Sequence, residues 1–313
     1  MPELPEVETV RRGLEPVLVG HRFVRVDQRR GDLRFPLPDR FAERLTGRKV
    51  VRLDRRAKYI LAHLDDGSVL VMHLGMTGRF SVELQGRSRR AGATGPGGAE
   101  GNGTGSSQIQ LGEYTYKHGE DARHDHVVFT LSGGAVVTYN DARRFGCMTL
   151  IAGNDLERDP LLAGLGVEPL GEGLTPAYLA ARARGKKADL KAFLMDQRII
   201  AGLGNIYACE ALFRAGLSPF KPASRLATRT GRPTPAAGRL TPAIRAVLEG
   251  AIGAGGSTLR DYKQADGSIG AFQNEFAVYG REGERCRRRG CGGSVRRKTQ
   301  GGRSTFYCSA CQR

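Results

Sequence analysis

The sequence predicts an α+β chain of two domains, in which a β-sandwich or barrel with one leading helix precedes a helical half. Three observations carry this prediction. Apolar residues recur at helical spacing directly after the first prolines, and a series of short strand-like segments follows up to about residue 152. Helical patterns dominate beyond residue 169, and four cysteines close the chain in a spacing typical of a small metal-bound finger.

Length and charge bound what the chain can do. Its 313 residues are enough for two domains with a sizeable core. Lys and Arg number 49 against 32 Asp and Glu, a formal net charge of +17, which favours an anionic partner such as nucleic acid. No apolar run is long enough to span a membrane, and the acidic start is no signal peptide. We therefore expect a cytoplasmic protein without membrane contact and, for lack of an oligomerisation signal, a monomer.

The opening stretch MPELPEVETV predicts an amine and a carboxyl group side by side at a helix N-terminus. Pro2 permits removal of Met1, which would leave a secondary amine with an ordinary pKa of about 7.7–8.0. Such an amine condenses with an aldehyde to a cationic iminium, and Glu3 beside it can donate or accept a proton. Pro5 suits the first position of a helix and Glu6 its first turn. An ordinary capped surface helix explains the same residues equally well.

Short segments rich in Val, Ile and Leu follow the first helix and predict strands. Asp65-Asp66-Gly67 and Ser132-Gly133-Gly134 are turn sequences between neighbouring segments, as in β-hairpins. With the leading helix, these strands predict a β-sandwich or barrel that has the helix at its edge. The predicted strands cover residues 22–30, 50–54, 58–65, 68–74, 79–84, 126–132, 135–140 and 145–151.

A Gly-rich insert interrupts the strands. Residues 86–107 lack aromatic and branched aliphatic side chains, so they cannot contribute to a core, and we expect a flexible segment. The insert belongs to a first domain predicted over 1–152, and an irregular linker follows over 153–169. A helical domain is predicted over 170–279 and a cysteine-rich finger over 280–313.

Two turns of the N-terminal half carry side chains that suit contact with nucleic acid. Met76 lies between two glycines, where a Met usually folds back onto the core and less often stands out as an apolar wedge. Arg143 and Phe145 share a turn in which the guanidinium fits phosphate or base contact and the ring fits insertion between bases. A plain surface turn explains this second sequence nearly as well.

Two further polar positions favour a structural interpretation. Lys58 opens a strand behind two arginines, as at a solvated strand end. His124 and His126 fall on one face of a strand by alternation, which resembles part of a metal site. No third ligand is evident, and imidazoles hydrogen-bonded at the start of a strand fit better.

Helical patterns follow the linker. Gly202-Leu203-Gly204-Asn205 joins two of the predicted helices, and Asn205 suits the N-cap of the second. With Lys187 close by, this junction can aim backbone N–H groups and a cation at a phosphate, although ordinary helical hairpins are far more common. Helices are predicted over 176–183, 189–198, 206–214 and 242–254, and loops over 226–239 and 255–272.

The cysteines at the end of the chain predict a zinc site. Their spacing, C-x4-C-x16-C-x2-C, resembles that of a zinc ribbon in which four thiolates hold one ion. Because the segment is too small and polar to fold alone, a metal would have to hold it together, and four free thiols are the alternative. The four predicted ligands are Cys286, Cys291, Cys308 and Cys311.

Four motifs in fixed order give the chain a family resemblance. They are the PELPE start, the Arg143-Arg144-Phe145-Gly146 turn, the GLGNIYA helix junction and the cysteine ribbon. In this order they make the chain similar, nearly end to end, to formamidopyrimidine-DNA glycosylases. The resemblance implies a β-sandwich, a helix–two-turn–helix domain and a zinc finger, with damaged double-stranded DNA in the cleft between the halves. It also implies excision of oxidised purines such as 8-oxoguanine and formamidopyrimidines, followed by strand cleavage through β,δ-elimination.

The resemblance implies roles for individual residues. Pro2 matches the family's Schiff-base nucleophile and Glu3 its proton donor. Lys58 matches the lysine of β-elimination, and Arg303 matches the finger arginine of δ-elimination. Met76, Arg143 and Phe145 match the trio that fills the gap left by an extruded nucleotide. The full set expected to contact DNA is Glu6, Met76, His124, Arg143, Phe145, Lys187 and Asn205.

Two departures from the family pattern and two competing functions remain. The first cysteine pair is C-x4-C where the family has C-x2-C, so we expect a lengthened knuckle that still binds zinc. The insert falls where family members have a shorter connection. One competing function is DNA binding without catalysis, against which Pro2, Glu3 and Lys58 argue. The other is excision of oxidised pyrimidines, which a panel of lesion duplexes would separate.

Overall fold

The computed structural model describes residues 2–84, 107–111, 122–256 and 275–313. The predicted flexible insert lies outside the described residues except for Ser107. The predicted loop over 255–272 also lies outside them, except for its first two residues. The predicted α+β fold class is confirmed, with a β-sandwich in the N-terminal half, helices in the C-terminal half and a cysteine-bearing hairpin at the end.

Two antiparallel sheets build the N-terminal half. Its strands are β1 (Phe23–Gln28), β2 (Val50–Arg56), β3 (Tyr59–Leu64), β4 (Ser68–His73), β5 (Arg79–Leu84), β6 (Ser107–Leu111), β7 (Asp125–Leu131), β8 (Ala135–Asn140) and β9 (Cys147–Ala152). Its helices are α1 (Leu4–Leu18) and α2 (Phe41–Leu45). One sheet has the order β1-β7-β8-β5-β6 and the other β2-β3-β4-β9, and all pairs are antiparallel.

Alternation along the strands decides which side chains enter the sandwich core. In β8, Val137 and Tyr139 are buried, whereas Val136 and Thr138 are half-buried. Phe80 and Val82 of the neighbouring β5 are buried on the same pattern. Strands β3 and β4 are instead buried along nearly their whole length, because the linker region packs on their outer face through Leu162 and its neighbours. The sheet that carries the β2–β3 turn is therefore held from both sides.

A second core unites the helices of the C-terminal half. They are α3 (Pro176–Ala183), α4 (Leu190–Met195), α5 (Asn205–Ala215) and α6 (Pro235–Gly253), and the finger hairpin is β10 (Val295–Gln300) with β11 (Arg303–Cys308). The predicted bounds of α3 agree with the structure. The prediction of a loop over 226–239 was wrong for its last residues, because α6 begins at Pro235 and carries Pro242 inside it. The sequence favours Pro242 as a first helical position, which is where proline is most common.

The predicted N-cap of α5 was also wrong. Gly204 is the N-cap and Asn205 is the first helical residue. The Asn205 amide is turned away from the helix end and donates to Tyr279 Oη at 3.3 Å and to the Ser304 carbonyl at 3.1 Å. The N–H groups at the start of α5 are met by a side chain from the other end of the sequence, a contact to which local sequence gives no clue.

Helix α1 joins the two halves. It packs against β2 and β3 on one side and against α6 on the other. Leu4 N–H donates to the Gly202 carbonyl at 3.2 Å, which fixes the start of α1 on the junction between α4 and α5. Gly202 has φ +87°, a left-handed conformation suited to glycine, and a Cβ there would lie 2.8 Å from Leu4 Cδ1. Among the described residues, no helix has the length and apolar character needed to cross a membrane.

Candidate active site and DNA-facing surface

The Glu3 carboxylate lies at the N-terminus of α5. Glu3 is only 3% exposed and directly follows Pro2, which is also buried. Its Oε1 accepts the Ile206 N–H at 2.9 Å and its Oε2 the Tyr207 N–H at 3.4 Å. Gly204 makes room for it, since a Cβ at that position would lie 2.6 Å from Glu3 Oε1. The two residues predicted to act on a substrate, Pro2 and Glu3, are thus brought to the junction predicted to bind phosphate.

Burial dominates the acidity of this carboxyl group. Loss of water raises the pKa of Glu3 above its ordinary value, and the charge of Glu6 raises it further. The Lys58 charge and the two backbone N–H donors act in the opposite direction, but the net shift is upward. A raised pKa keeps a proton on Glu3 to higher pH than on an exposed glutamate, as a general acid requires.

Glu6 lies beneath Glu3 and fixes the first turn of α1. Its Oε2 accepts the Glu3 N–H at 2.9 Å, which with Glu3 as N-cap completes a capping box. Its Oε1 accepts the Tyr207 hydroxyl at 2.5 Å. Glu6 is 1% exposed, and the hydrogen bond from Tyr207 links α1 to α5 at the bottom of the site.

Lys58 is held at the turn between β2 and β3. Ala57 before it has a left-handed φ of +53°, and the Ala57 N–H donates to Glu168 Oε1 at 2.6 Å. Arg55 and Arg56 each donate to the same Glu168 carboxylate at 2.9 Å, so a residue of the linker fixes the turn. Sequence analysis interpreted Lys58 as a solvated strand end, but it is only 7% exposed.

The environment of Lys58 makes its ammonium group easier to deprotonate than that of an exposed lysine. Burial lowers the pKa of Lys58 below its ordinary range, and the Arg303 guanidinium contributes in the same direction. The Glu3 carboxylate acts to raise that pKa, which shows that Lys58, Glu3 and Arg303 share one electrostatic environment. All four predicted catalytic residues belong to this region, since Pro2 precedes Glu3 in the chain.

The finger hairpin that carries Arg303 is fastened to the helical domain next to the site. Lys191 of α4, 2% exposed, donates from Nζ to Thr305 Oγ1 at 2.6 Å and to the Ser304 carbonyl at 3.3 Å. Asn205 donates to the same Ser304 carbonyl. These contacts hold Ser304 and Thr305, which directly follow Arg303 in the chain. They therefore fix the backbone from which the Arg303 side chain extends.

Two neighbouring turns present the three predicted gap-filling side chains. We call residues 75–78 the Met turn and residues 141–146 the Arg-Phe turn. Met76 is 36% exposed and Phe145 41%, so both apolar side chains are accessible at the surface. The Arg143 guanidinium lies 4.6 Å from the centre of the Phe145 ring, a cation–π contact that holds both side chains outward.

Two other predicted DNA contacts lie outside these two turns. His124 ends a short 3-10 turn before β7, and Lys187 is exposed between α3 and α4. His126 is buried and donates from Nε2 to the Asp141 carbonyl at 2.8 Å, as the prediction of hydrogen-bonded imidazoles requires. Within the described residues, the histidine pair belongs to no group that could hold a metal ion.

The four cysteines predicted as ligands converge. Their Sγ atoms all lie within 4.8 Å of one another. Cys286 and Cys311 are separated by 3.8 Å and Cys291 and Cys308 by 3.7 Å. Tetrahedral zinc with Zn–S bonds of about 2.3 Å requires S–S separations of about 3.8 Å, so the donor set fits this ion. The cluster is a candidate metal centre.

Family models cover most of the chain. The model described as the formamidopyrimidine-DNA glycosylase N-terminal domain matches residues 1–148, and the model of the H2TH domain of the same enzymes matches residues 165–263. This chain belongs to the formamidopyrimidine-DNA glycosylase family. The abbreviation H2TH denotes the helix–two-turn–helix domain.

Individual relatives agree with the family models. The chain is 55% identical over 317 residues to the formamidopyrimidine-DNA glycosylase of a Chelativorans species, with both chains covered completely. It is similar to the crystal structure of the MutM (Fpg) protein of Thermus thermophilus, at 39% identity and a TM-score of 0.74 over 99% of this chain and 98% of that one. It is also similar to wild-type Lactococcus lactis Fpg in complex with DNA containing N7-benzyl-Fapy-dG, at 29% identity and a TM-score of 0.76 over the whole of both chains.

The C-x4-C segment between the first two cysteines, the lengthened knuckle, contacts the C-terminus of α5. Arg288 lies in the C-x4-C segment, and its N–H donates to Cys286 Sγ at 3.4 Å. Its guanidinium donates to the carbonyls of Phe213 and Arg214 at the C-terminus of α5, and it lies 5.1 Å from the centre of the Phe213 ring. The knuckle therefore docks on the helix whose other end receives Glu3.

Several contacts that hold the site together were not found by sequence reasoning. Tyr207, Glu168 and Lys191 hold Glu6, the Lys58 turn and the Arg303 hairpin, as described above. Glu210 of α5 accepts the N–H groups of Ala277, Val278 and Tyr279, all within 3.0 Å, and so anchors the segment that leads into the finger. The available signal for Lys191 and Glu210 was a charged residue inside an otherwise apolar helix. Such a residue does not indicate which group it contacts.

Proposed function

We propose that this protein is a bifunctional DNA glycosylase and abasic-site lyase that removes oxidised purines, such as 8-oxoguanine and formamidopyrimidines, from double-stranded DNA. One observation carries the proposal. A buried carboxyl group with a raised pKa, Glu3, lies directly after a potential N-terminal amine, Pro2, in the same electrostatic environment as the buried Lys58. The family membership and the relatives' complex with a formamidopyrimidine lesion support the choice of substrate.

Base removal begins with the Pro2 amine. After loss of Met1, its lone pair attacks C1′ of the damaged nucleotide, and the bond between C1′ and the base breaks with its electron pair going to the base. Glu3 donates a proton to the sugar ring oxygen, and the ring opens as the C1′–N bond becomes an iminium. Burial of Glu3 keeps that proton available to higher pH than on an exposed glutamate.

Strand cleavage follows from the iminium. Its positive charge acidifies the C2′ hydrogens, and a neutral Lys58 amine can accept one of them as the 3′ phosphate leaves. A second elimination releases the 5′ phosphate, for which the Arg303 guanidinium supplies positive charge. Hydrolysis of the remaining imine returns the free Pro2 amine, so no redox cofactor is consumed.

A glycosylase must take its base out of the stack, and the exposed turns suit that task. We infer that Met76, Arg143 and Phe145 fill the gap in the duplex. His124, Lys187 and Asn205 would position phosphates, and Glu6 would line the nucleotide site through the first turn of α1. The net charge of +17 supports binding of DNA, and we expect a cytoplasmic monomer.

We further propose that Cys286, Cys291, Cys308 and Cys311 hold one zinc ion. Bound zinc would be structural, since four thiolates leave no open position for a substrate. Side chains attach the finger to the helical domain, because Lys191 and Asn205 hold the hairpin beside the site.

Blocking the N-terminus tests the nucleophile. A protein that begins at Pro2 should cleave abasic DNA, and Pro2→Gly should keep part of that activity because glycine supplies a primary amine in place of the secondary one. The same chain with a tag before Pro2 should have none, measured by the rate of strand cleavage on a gel. A blocked protein that cleaves at the normal rate would rule out Pro2.

A lesion panel tests the substrate. Duplexes with 8-oxoguanine, a formamidopyrimidine or an oxidised pyrimidine should be cut at different rates, with both purine lesions preferred. Preference for the pyrimidine lesion would reassign the substrate class. Tight binding to all three without cleavage would favour a DNA-binding protein that lacks catalysis.

A further inference from the structure

Asp141 occupies the point at which the Met turn and the Arg-Phe turn meet. It is 0% exposed although it begins a turn that faces solvent. Its Oδ2 accepts the Gly146 N–H at 2.8 Å and the Tyr139 hydroxyl at 3.2 Å, so it closes its own turn from beginning to end. None of the catalytic steps described above uses this carboxylate.

The same carboxylate reaches the other turn. Asp141 Oδ1 accepts the Thr77 hydroxyl of the Met turn. Thr77 Oγ1 in turn accepts the Arg143 N–H at 3.2 Å. The Thr77 hydroxyl of the Met turn thus accepts a bond from the Arg143 N–H and donates one to the Asp141 carboxylate, both in the Arg-Phe turn. Met76 directly precedes Thr77 in the chain.

Close backbone packing supports this junction. A Cβ on Gly75 would collide with the backbone of Phe145 and Gly146. A Cβ on Gly78 or Gly146 would collide with the Tyr139 hydroxyl that donates to Asp141. The two turns therefore touch directly through the backbone at Gly75, and Gly78 and Gly146 both pack against the Tyr139 hydroxyl.

The Asp141 main chain is fixed as well. Its N–H donates to the His124 carbonyl at 3.0 Å, and its carbonyl accepts from His126 Nε2 at 2.8 Å. Arg144, which follows with a left-handed φ of +55°, donates its N–H to the same carbonyl at 3.2 Å. A strained residue within a mobile turn would relax, so this anchoring keeps the turn in the shape that exposes Arg143 and Phe145.

We propose that Asp141, acting with Thr77, is a positioning residue that joins the two turns into one rigid unit, so that Met76, Arg143 and Phe145 enter the DNA together. This inference rests on the proposed function, in which those three side chains fill the gap left by the extruded nucleotide. It adds that the gap is filled in one concerted step. Asp141 itself touches neither the substrate nor the reacting atoms.

A matched pair of variants at Thr77 tests the proposal. T77V keeps the shape of the side chain but loses both hydrogen bonds, whereas T77S keeps both. Excision of 8-oxoguanine opposite cytosine under single-turnover conditions should fall about tenfold or more in T77V, the usual effect of losing a hydrogen bond to a charged group. T77S should stay within about twofold of wild type by the same reasoning.

Two further readouts separate positioning from loss of structure or chemistry. A 2-aminopurine next to the lesion should show slower unstacking in T77V and an unchanged rate in T77S. Cleavage of a single-stranded abasic oligonucleotide, where no gap has to be filled, should be the same in both variants and wild type. D141N serves as a second variant, and its unstacking measured by 2-aminopurine fluorescence should be slowed as in T77V.

Each failure has a distinct meaning. If Phe145→Ala slows excision and unstacking but T77V does not, Asp141 and Thr77 do not position the turns and the inference is wrong. If neither variant changes either rate, the gap-filling role itself fails, and the proposed DNA contacts fail with it. If T77V and T77S slow single-stranded cleavage equally, the effect is general destabilisation, which also overturns the inference.

Discussion

At the scale of single residues, the site depends on a few charged groups removed from water. Glu3, Glu6, Lys58 and Lys191 are each at most 7% exposed. Isolated buried charges are costly, so each needs partners, and the structure supplies them as backbone N–H groups, hydroxyls or opposite charges. The sequence predicted Pro2 and Glu3 as a reactive pair because amine and carboxyl group are adjacent. It could not predict Tyr207 or Glu168, since the residues they hold are distant in the sequence.

The raised pKa of Glu3 predicts a pH dependence. In the proposed mechanism base excision needs a proton on Glu3 and a free amine on Pro2, so the single-turnover rate should rise with pH as the amine deprotonates and fall as Glu3 does. Because the folded protein raises the pKa of Glu3, the alkaline fall should occur above the ordinary glutamate value of about 4.3. The Lys58 charge lowers this pKa, so Lys58→Met should move the alkaline fall to higher pH.

The measurement is the pH profile of base release in wild type and Lys58→Met, with strand cleavage scored separately. Glu3→Gln should lose base release by about 10²–10⁴-fold, the usual contribution of a general acid. An alkaline fall that stays at the same pH in Lys58→Met would show that Glu3 is not the group that titrates.

At the scale of elements, local pattern predicted most strands and helices but missed those whose cause is not local. Strands β3 and β4 follow the turn residues between them, β8 follows its alternation, and α3 follows its capping threonine and proline. Helix α2 and strand β6 were not predicted. Helix α6 was predicted too short because two prolines at its start and interior are each compatible with a first position.

Helix α5 offers a sharp test, because one glycine sets the space for Glu3. Gly204→Ala would place a Cβ 2.6 Å from Glu3 Oε1 and push the carboxylate off the helix end. Base excision should therefore drop by at least about tenfold while the fold persists, since the change displaces a group positioned for proton transfer. Gly238→Ala is the matched control, because Gly238 lies in α6 and a Cβ added there would meet no atom within 4 Å.

The control should keep full activity and gain up to about 1 kcal/mol of stability from helix propensity. Thermal unfolding and single-turnover excision of both variants decide the matter. Equal excision rates for Gly204→Ala and wild type would show that the contact between Glu3 and α5 is not needed.

The finger is a second element with a clear prediction. Cys291→Ser should lower bound zinc well below one ion per chain and loosen the β10–β11 hairpin that carries Arg303. The final elimination should then weaken more than base release, so products cut only on the 3′ side should accumulate. Arg289→Ala, in the same exposed knuckle, should keep its zinc.

Elemental analysis and product sizing on a denaturing gel measure both effects. A Cys291→Ser protein that holds one zinc ion, or one that loses zinc without any change in products, would contradict the proposed finger.

At the scale of the whole molecule, the two halves of the chain meet at the candidate active site. Helix α1 contacts both sheets' core and α6, Glu3 caps α5, and Glu168 of the linker holds the Lys58 turn. The sequence predicted each half and the order of its motifs. It predicted a cleft only through the family resemblance, because contacts such as that between Glu3 and Ile206 span 203 residues. We propose above all that the Pro2 amine, at this meeting point, forms the covalent bond to DNA.

Borohydride trapping tests that claim most directly. Untagged protein is mixed with a duplex carrying 8-oxoguanine opposite cytosine, reduced, digested and mapped by mass spectrometry. The account predicts one covalent DNA adduct on the Pro2 amine, which would establish base excision, the imine and the nucleophile together. An adduct on Lys58 or another lysine, with Pro2 unmodified, would contradict it.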